Sequence, residues 1–169
     1  MNNAIEVCVP PDSRLRENEA LEPVYKVATT DKEIEEYFRI RHDVFVKEQK
    51  IFEKTDRDKH DEDAIPILAC YHYRAVGAVR CYPNTKKTWF GGRLAVELDF
   101  RTYNIGAMLV HKAVETMENH PEVRRFLATI QFQNVRFFQR LGWKKRGKIF
   151  YMKGKKHHIM EKVLDKSAK

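Results

Sequence analysis

The spacing of apolar residues changes period several times along the chain. "VYKVATT", from Val24, reads as a first strand. In "TTDKEIEEYFRIRHDVFVKEQ" the period becomes helical, with Ile34, Tyr37, Phe38, Val44 and Phe45 falling on one side. Thr30 followed by Glu33 predicts a capping box at its start. "EKTDRDKHDEDA" has no apolar period and is a charged loop. "IPILACYHYRAVGAVRCYPN" predicts two strands joined by a tight turn near Arg74 and Ala75. "WFGGRLAVEL" predicts another strand, bent or bulged at Gly91 and Gly92. The helical period returns through Met108, Leu109, Ala113, Val114 and Met117. "RRFLATIQ" then reads as a buried strand, and "NVRFFQRLGW" as a short helix stopped by Gly142. "KIFYMKG" and "HHIMEKVL" predict a last pair of strands.

This order predicts a mixed α/β sheet with helices packed on it, in one domain spanning residues 25–169. Residues 1–24 carry prolines and charges without a period, and are expected to form a flexible arm. A chain of 169 residues with 43% hydrophobic content can bury a real core. It has no apolar run long enough for a membrane helix and no secretory leader pattern, so a cytoplasmic protein without membrane contact is expected. Cys8, Cys70 and Cys81 are odd in number and lack CxxC spacing; they are read as free thiols, with Cys70 and Cys81 buried in strands. The net charge of +8 suits a phosphate-rich cofactor, an acidic substrate or nucleic acid, and also suits simple solubility.

Candidate chemistry begins at "RTYNIGAMLV". A helix start offers unpaired N–H groups and a partial positive charge. Asn104 tolerates a left-handed backbone, Gly106 and Ala107 allow close approach, and Arg101 can contact an anion. The stretch is either an ordinary strand-to-helix entry or a phosphate seat. Upstream, Arg41 and Glu48 fall on an apolar helical stripe, where isolated charges need partners. They form an anchoring pair, or they face a substrate, Glu48 taking a proton or binding an amine and Arg41 orienting a carboxylate. Asp56, Asp58, Asp61 and Asp63 alternate with cations in the charged loop. Without a glycine at the turn or a closing glutamate they are not a calcium loop, and no metal is expected. They are read as solvated, or as a lure for a cationic amine. His157 and His158 would point to opposite faces of a strand, one an acid/base candidate and the other solvated. "KKRGKIFYMKGKKHH" interleaves cations with Phe150 and Tyr151, as a solvated hairpin or a nucleic-acid surface would.

"RLAVELDFRTYNIGAMLV" and "ATIQFQNVRFFQRLGW", in that order, resemble the two cofactor landmarks of the GNAT superfamily of acyl-CoA-dependent N-acyltransferases. The resemblance covers about residues 25 to 165. "RHDVFVKEQ" and "GKKHHIM" are similar to the branch that includes nitrogen-starvation acetyltransferases. Acyl-homoserine-lactone synthases share the Arg-x-x-Val-Phe start. Pro66 stands where several relatives carry a histidine, so that histidine's role is absent here.

The resemblance implies a mostly antiparallel sheet with helices on both faces, splayed between its fourth and fifth strands. It implies acetyl-CoA as cofactor, its pantetheine running along Leu94, Ala95 and Val96 as an added strand. The pyrophosphate would sit on Arg101, Thr102, Tyr103, Asn104, Ile105, Gly106 and Ala107, with Asn134 and Phe137 on the other lip. An N–H near Val96 would stabilise the oxyanion. The implied reaction moves an acetyl group to the amine of a small molecule by direct attack in a ternary complex. Glu48 or His157 would be the base and Arg41 with Glu48 the substrate contacts. The tyrosine that many relatives use as acid is replaced by Phe138, leaving Tyr103, Tyr151 or water. A monomer or homodimer is expected, and nucleic acid is not the expected partner. The rival reading is a non-catalytic module of the same fold that binds an anionic partner such as nucleic acid.

Overall fold

The computed structural model describes residues 22–167. Most of the expected arm at residues 1–24, and the last two residues of the expected domain, therefore lie outside the described residues. Strand β1 (Val24–Val27) leads into helix α1 (Asp31–His42). The predicted capping box is formed: the Glu33 amide donates to the Thr30 hydroxyl, and the Thr30 amide donates back to the Glu33 carboxylate. The helix was expected to run evenly to Gln49. Instead it widens into a π-helical turn at Asp43–Glu48, where the Gln49 amide reaches the Val44 carbonyl. That wider turn shifts the phase, and Glu48 leaves the face that carries Arg41.

Hairpin β2 (Ile65–Tyr71) and β3 (Arg74–Pro83) follows the charged loop. Its turn falls at His72 and Tyr73, two residues before the predicted place. Both have positive φ (49° and 60°), as a two-residue turn of this hand demands. Strand β4 (Thr88–Val96) pairs with β3, and Val79 faces the two residues Arg93 and Leu94. This bulge lies just beyond the predicted Gly91–Gly92 site, with Arg93 itself at φ 54°. A 3₁₀ segment (Leu98–Tyr103) leads to helix α2 (Ile105–Asn119). Strand β5 (Arg125–Gln131), helix α3 (Val135–Arg140), and hairpin β6 (Lys144–Met152) and β7 (Lys155–Lys162) complete the order.

The seven strands form one sheet in the order β1-β2-β3-β4-β5-β7-β6. Every neighbouring pair is antiparallel except β4 and β5. Alternation along β2 assigns the two faces. Ile67 and Ala69 join Leu109, Val110 and Met117 of α2 in one cluster. Leu68 and Cys70 join Tyr37, Ile40 and Val44 in the other, under α1. The helices therefore cover both faces. Cys81 is a buried free thiol. Cys70 is buried but stands in a disulfide, so reading all three cysteines as free thiols does not hold. No helix among the described residues is long and apolar enough to cross a membrane.

Candidate active site

β4 and β5 pair only from Thr88↔Arg125 to Gly91↔Ala128. Beyond that register the strands part, and a cavity of about 810 Å³ opens between them. Close packing holds the vertex: a Cβ on Gly91 would come within 3.0 Å of the Phe126 ring. The cavity is walled by Leu94 of β4, Ala128 and Ile130 of β5, Val110 and Ala113 of α2, and Phe138 and Trp143 around α3. Across the sheet it reaches Phe45, Ile51 and Phe52, which follow α1.

The end of β4 presents an unpaired edge to this split. Gly77 lies opposite Val96, and the Glu97 amide donates to the Val76 carbonyl (2.9 Å). In that register the Val96 N–H and C=O point away from β3, toward the open side. The Val96 carbonyl already accepts from Arg101 Nε (2.9 Å), whereas its N–H is left for a ligand.

Asn104 adopts the left-handed backbone (φ 60°) that its residue type permits. The first helical bond is made by the Met108 amide to the Asn104 carbonyl (3.2 Å). The amides of Ile105, Gly106 and Ala107 precede it, and no side-chain cap or acidic residue occupies this end of α2. A Cβ on Gly106 would meet only Val96 Cγ2, at 3.9 Å. These features suit an anion. Thr102, Tyr103 and Asn104 are exposed around the helix start, whereas Ile105 and Ala107 send their side chains into the core.

Arg101 turns elsewhere. Its two terminal nitrogens bind both carboxylate oxygens of Glu48, at 2.6 and 2.7 Å. Glu48 is absent from the cavity wall. The anchoring Arg41–Glu48 pair does not form, because Arg41 is fully enclosed (0% exposed) and bonded to Asp56 (2.7 Å), Asp61 (2.6 Å) and Tyr37 (2.8 Å). With no exposed atom it has no access to a substrate, and the substrate role expected of it is withdrawn.

The charged loop is solvated only in part: Asp63 is exposed, as expected, whereas the other three aspartates are taken up by arginines and not left for a cationic amine. Asp56, Asp58 and Asp61 fold inward onto Arg41, Arg80 and Arg93. Burial opposes the charge on Asp61, but hydrogen bonds from Arg41, the Asp58 amide and Arg80 outweigh it and hold the carboxyl well below the usual range. On Arg93, burial and the neighbouring Arg80 cation lower the pKa, against the pull of Asp58 and Asp56. Tyr37 rises to about 12, chiefly through burial.

His157 lines the cavity, buried at 6% exposure, with its ring stacked near Phe150. Its Nδ1 lies 2.8 Å from the Lys155 carbonyl, which can only accept, so Nδ1 carries the proton and Nε2 is left as the acceptor. His158 faces the other way, as expected of an adjacent strand residue, but it is buried rather than solvated. Asn134 and Gln131 stand on the cavity rim at the end of β5. Phe137 is not on the wall; it packs edge-on against Phe138, which is. Tyr103 and Tyr151, the expected alternative acids, are both exposed and outside the cavity.

Lys50, Phe52, Arg93, Lys153 and Lys155 also line the cavity, and the sequence pattern did not single them out. Lys50, Arg93 and Lys153 take φ of 53°, 54° and 51° without being glycine or asparagine. No composition or period signals that.

A parallel pair that parts midway, next to an uncapped helix start, is matched by sequence. Residues 24–143 fit the profile of the acetyltransferase (GNAT) family. The chain belongs to that family. It is therefore an acyltransferase whose chemistry is acyl transfer from coenzyme A thioesters. The protein YyaT of Bacillus subtilis is 26% identical over 147 residues, covering 84% of this chain and 97% of that one. The crystal structure of Escherichia coli ElaA shares the fold at a TM-score of 0.71 and 22% identity, over 83% of this chain and 98% of the other. A CoA-dependent acyl-homoserine lactone synthase, BjaI, solved with SAM and isopentyl-CoA, shares it at a TM-score of 0.67 and 20% identity, over 77% and 75%.

Proposed function

We propose that the protein transfers an acetyl group from acetyl-CoA to the amine of a small molecule, by direct attack within a ternary complex. The observation that carries this reading is the split between β4 and β5. It leaves the Leu94–Val96 edge unpaired at one end of a half-open cavity and sets His157 on the wall of the same cavity. Leu94, Ala95 and Val96 would hold pantetheine as an added strand. The amides of Ile105, Gly106 and Ala107 would take the pyrophosphate, within the seat running from Arg101 through Thr102, Tyr103 and Asn104. Asn134 would close the other lip. Acetyl-CoA supplies the activated thioester carbonyl.

The remaining work falls to the chain. The Val96 N–H points to the open side and is placed to donate to the carbonyl oxygen as negative charge develops. His157 Nε2, its partner nitrogen fixed on the Lys155 carbonyl, accepts the amine proton, directly or through water. The N–C bond forms, the C–S bond breaks, and its electron pair leaves with the thiolate. With Phe138 in the cavity wall and no tyrosine there, no side-chain acid is assigned. A thiol titrates at about 8.5, so the thiolate can leave without one. Glu48, tied to Arg101 and off the wall, holds that arginine rather than acting as base.

Two measurements test the reading: calorimetric binding of acetyl-CoA, and thiol release over a panel of amines and acyl-CoA chain lengths. Saturable binding with amine-dependent release supports it. A protein that ignores acetyl-CoA but binds oligonucleotides with a steep salt dependence would overturn it.

A further inference from the structure

The cavity wall separates into regions of different chemistry. Around the β4–β5 vertex it is apolar, with Val79, Leu94, Phe126, Ala128 and Trp143. Toward the side covered by α1 it carries four cations, Lys50, Arg93, Lys153 and Lys155, and none of the lining residues is Asp or Glu. Arg93 is committed to Asp56 and Asp58. The three lysines are exposed, and among the described residues no carboxylate pairs with any of them.

These lysines belong to one rim. Lys153 Nζ lies 4.2 Å from the centre of the Phe52 ring, so the β6–β7 turn meets the segment that follows the π-helical turn. Phe45, Ile51 and Phe52 pack in the cluster under α1, on the opposite sheet face from α2. The cations therefore stand away from the helix start that would seat the cofactor's pyrophosphate. Beside them, Phe45, Ile51, Phe52 and Met152 give the same end of the cavity an apolar wall.

A positive rim without a counter-charge attracts an anion and repels a second cation. It also lowers the proton affinity of an amine held there, favouring the neutral form that attacks. We infer that the acyl acceptor is an amine that also carries a carboxylate on an apolar body, and that Lys50, Lys153 and Lys155 receive the carboxylate. The inference rests on the acyl-transfer reading above. It moves the carboxylate contact from the sealed Arg41 to the lysine rim, and it disfavours polyamines.

The test compares matched acceptors with acetyl-CoA as donor and thiol release as readout. Phenylalanine and leucine are set against phenethylamine and isoamylamine, which lack only the carboxylate, and against spermidine. The carboxylate-bearing member of each pair should have a kcat/KM higher by about tenfold, the factor one charge-assisted contact supplies. Spermidine should be the poorest. The double variant Lys50→Glu with Lys153→Glu should lose that preference while its calorimetric affinity for acetyl-CoA stays the same. Equal or better turnover of the uncharged-tail amines or spermidine by the natural protein would overturn the inference and leave acyl transfer standing. So would a double variant that loses acetyl-CoA affinity in step with its rate, because the lysines would then serve the cofactor. A natural protein that does not bind acetyl-CoA would remove the acyl-transfer reading, and this inference with it.

Discussion

Glu48 and Arg101 are joined by two hydrogen bonds of 2.6 and 2.7 Å, linking the π-helical turn after α1 to the segment that opens α2. The sequence places them at opposite ends of a site, one as a base and one as an anion contact. Joined, they form a clasp across the end of β4, where Arg101 Nε also holds the Val96 carbonyl. Both side chains are about a third exposed, so the pair contributes at most about 1 kcal/mol to stability. Glu48→Gln should therefore shift the melting temperature little. Its cost should appear in acetyl-CoA affinity, as Arg101 loses its fixed position, more than in kcat. Differential scanning calorimetry and a binding titration on the variant check this.

His157→Gln should behave in the opposite way. Removing the Nε2 acceptor should lower kcat by about 10²-fold or more, the usual contribution of a general base, with acetyl-CoA affinity preserved. Steady-state kinetics on both variants ranks them. A larger kcat loss for Glu48→Gln than for His157→Gln would return the base role to Glu48.

Arg41 is a structural anchor, and its loss should read out as instability. Arg41→Ala takes from Asp56 and Asp61, both carboxylates almost fully buried, their shortest cation contact, leaving Asp56 to Arg93 and Asp61 to Arg80. Breaking a buried pair from one side costs about 3–5 kcal/mol. Chemical denaturation of the variant should show a loss of up to that size, since Arg93 and Arg80 keep part of the compensation.

The same cluster sets an acid limit. Asp58 is held low by hydrogen bonds from Arg80, against the effect of burial, and Asp61 by Arg41 and Arg80 against a larger burial effect. Glu161 is held low by Arg125 and Arg146. A carboxylate with a lowered folded pKa adds stability that is fully present above its unfolded value and lost as pH falls through the folded one. The share of stability that these carboxylates supply should thus be constant above about pH 5 and fall progressively below about pH 4, where the unfolded carboxylates begin to take up protons. Urea titrations across that range measure the slope.

How much of this was legible beforehand follows from range. Local features were: the Thr30–Glu33 capping box, the left-handed Asn104, the alternation along β2 and the helical stripe of α2 all depend on residues a few positions apart. The β4–β5 split followed from the family resemblance rather than from any period. The partners of Arg41 were not legible, because Asp56 and Asp61 lie 15 and 20 positions away in a loop that reads as solvated. The face of Glu48 was misread because a single π-helical turn resets the phase. The lysine rim gave no signal, since Lys50 and Lys153 reach it through backbone conformations that no residue pattern announces.

Acetyl-CoA binding by the natural protein and by Gly106→Asp is the most direct test of the cofactor site. A Cβ at Gly106 has room, with only Val96 Cγ2 at 3.9 Å, so the variant should fold normally. Its carboxylate would stand where the pyrophosphate is expected, and like charges brought together cost several kcal/mol. Calorimetry should show saturable binding to the natural protein and affinity weaker by about a hundredfold in the variant. Equal affinity in both, or no binding to either, would contradict the account.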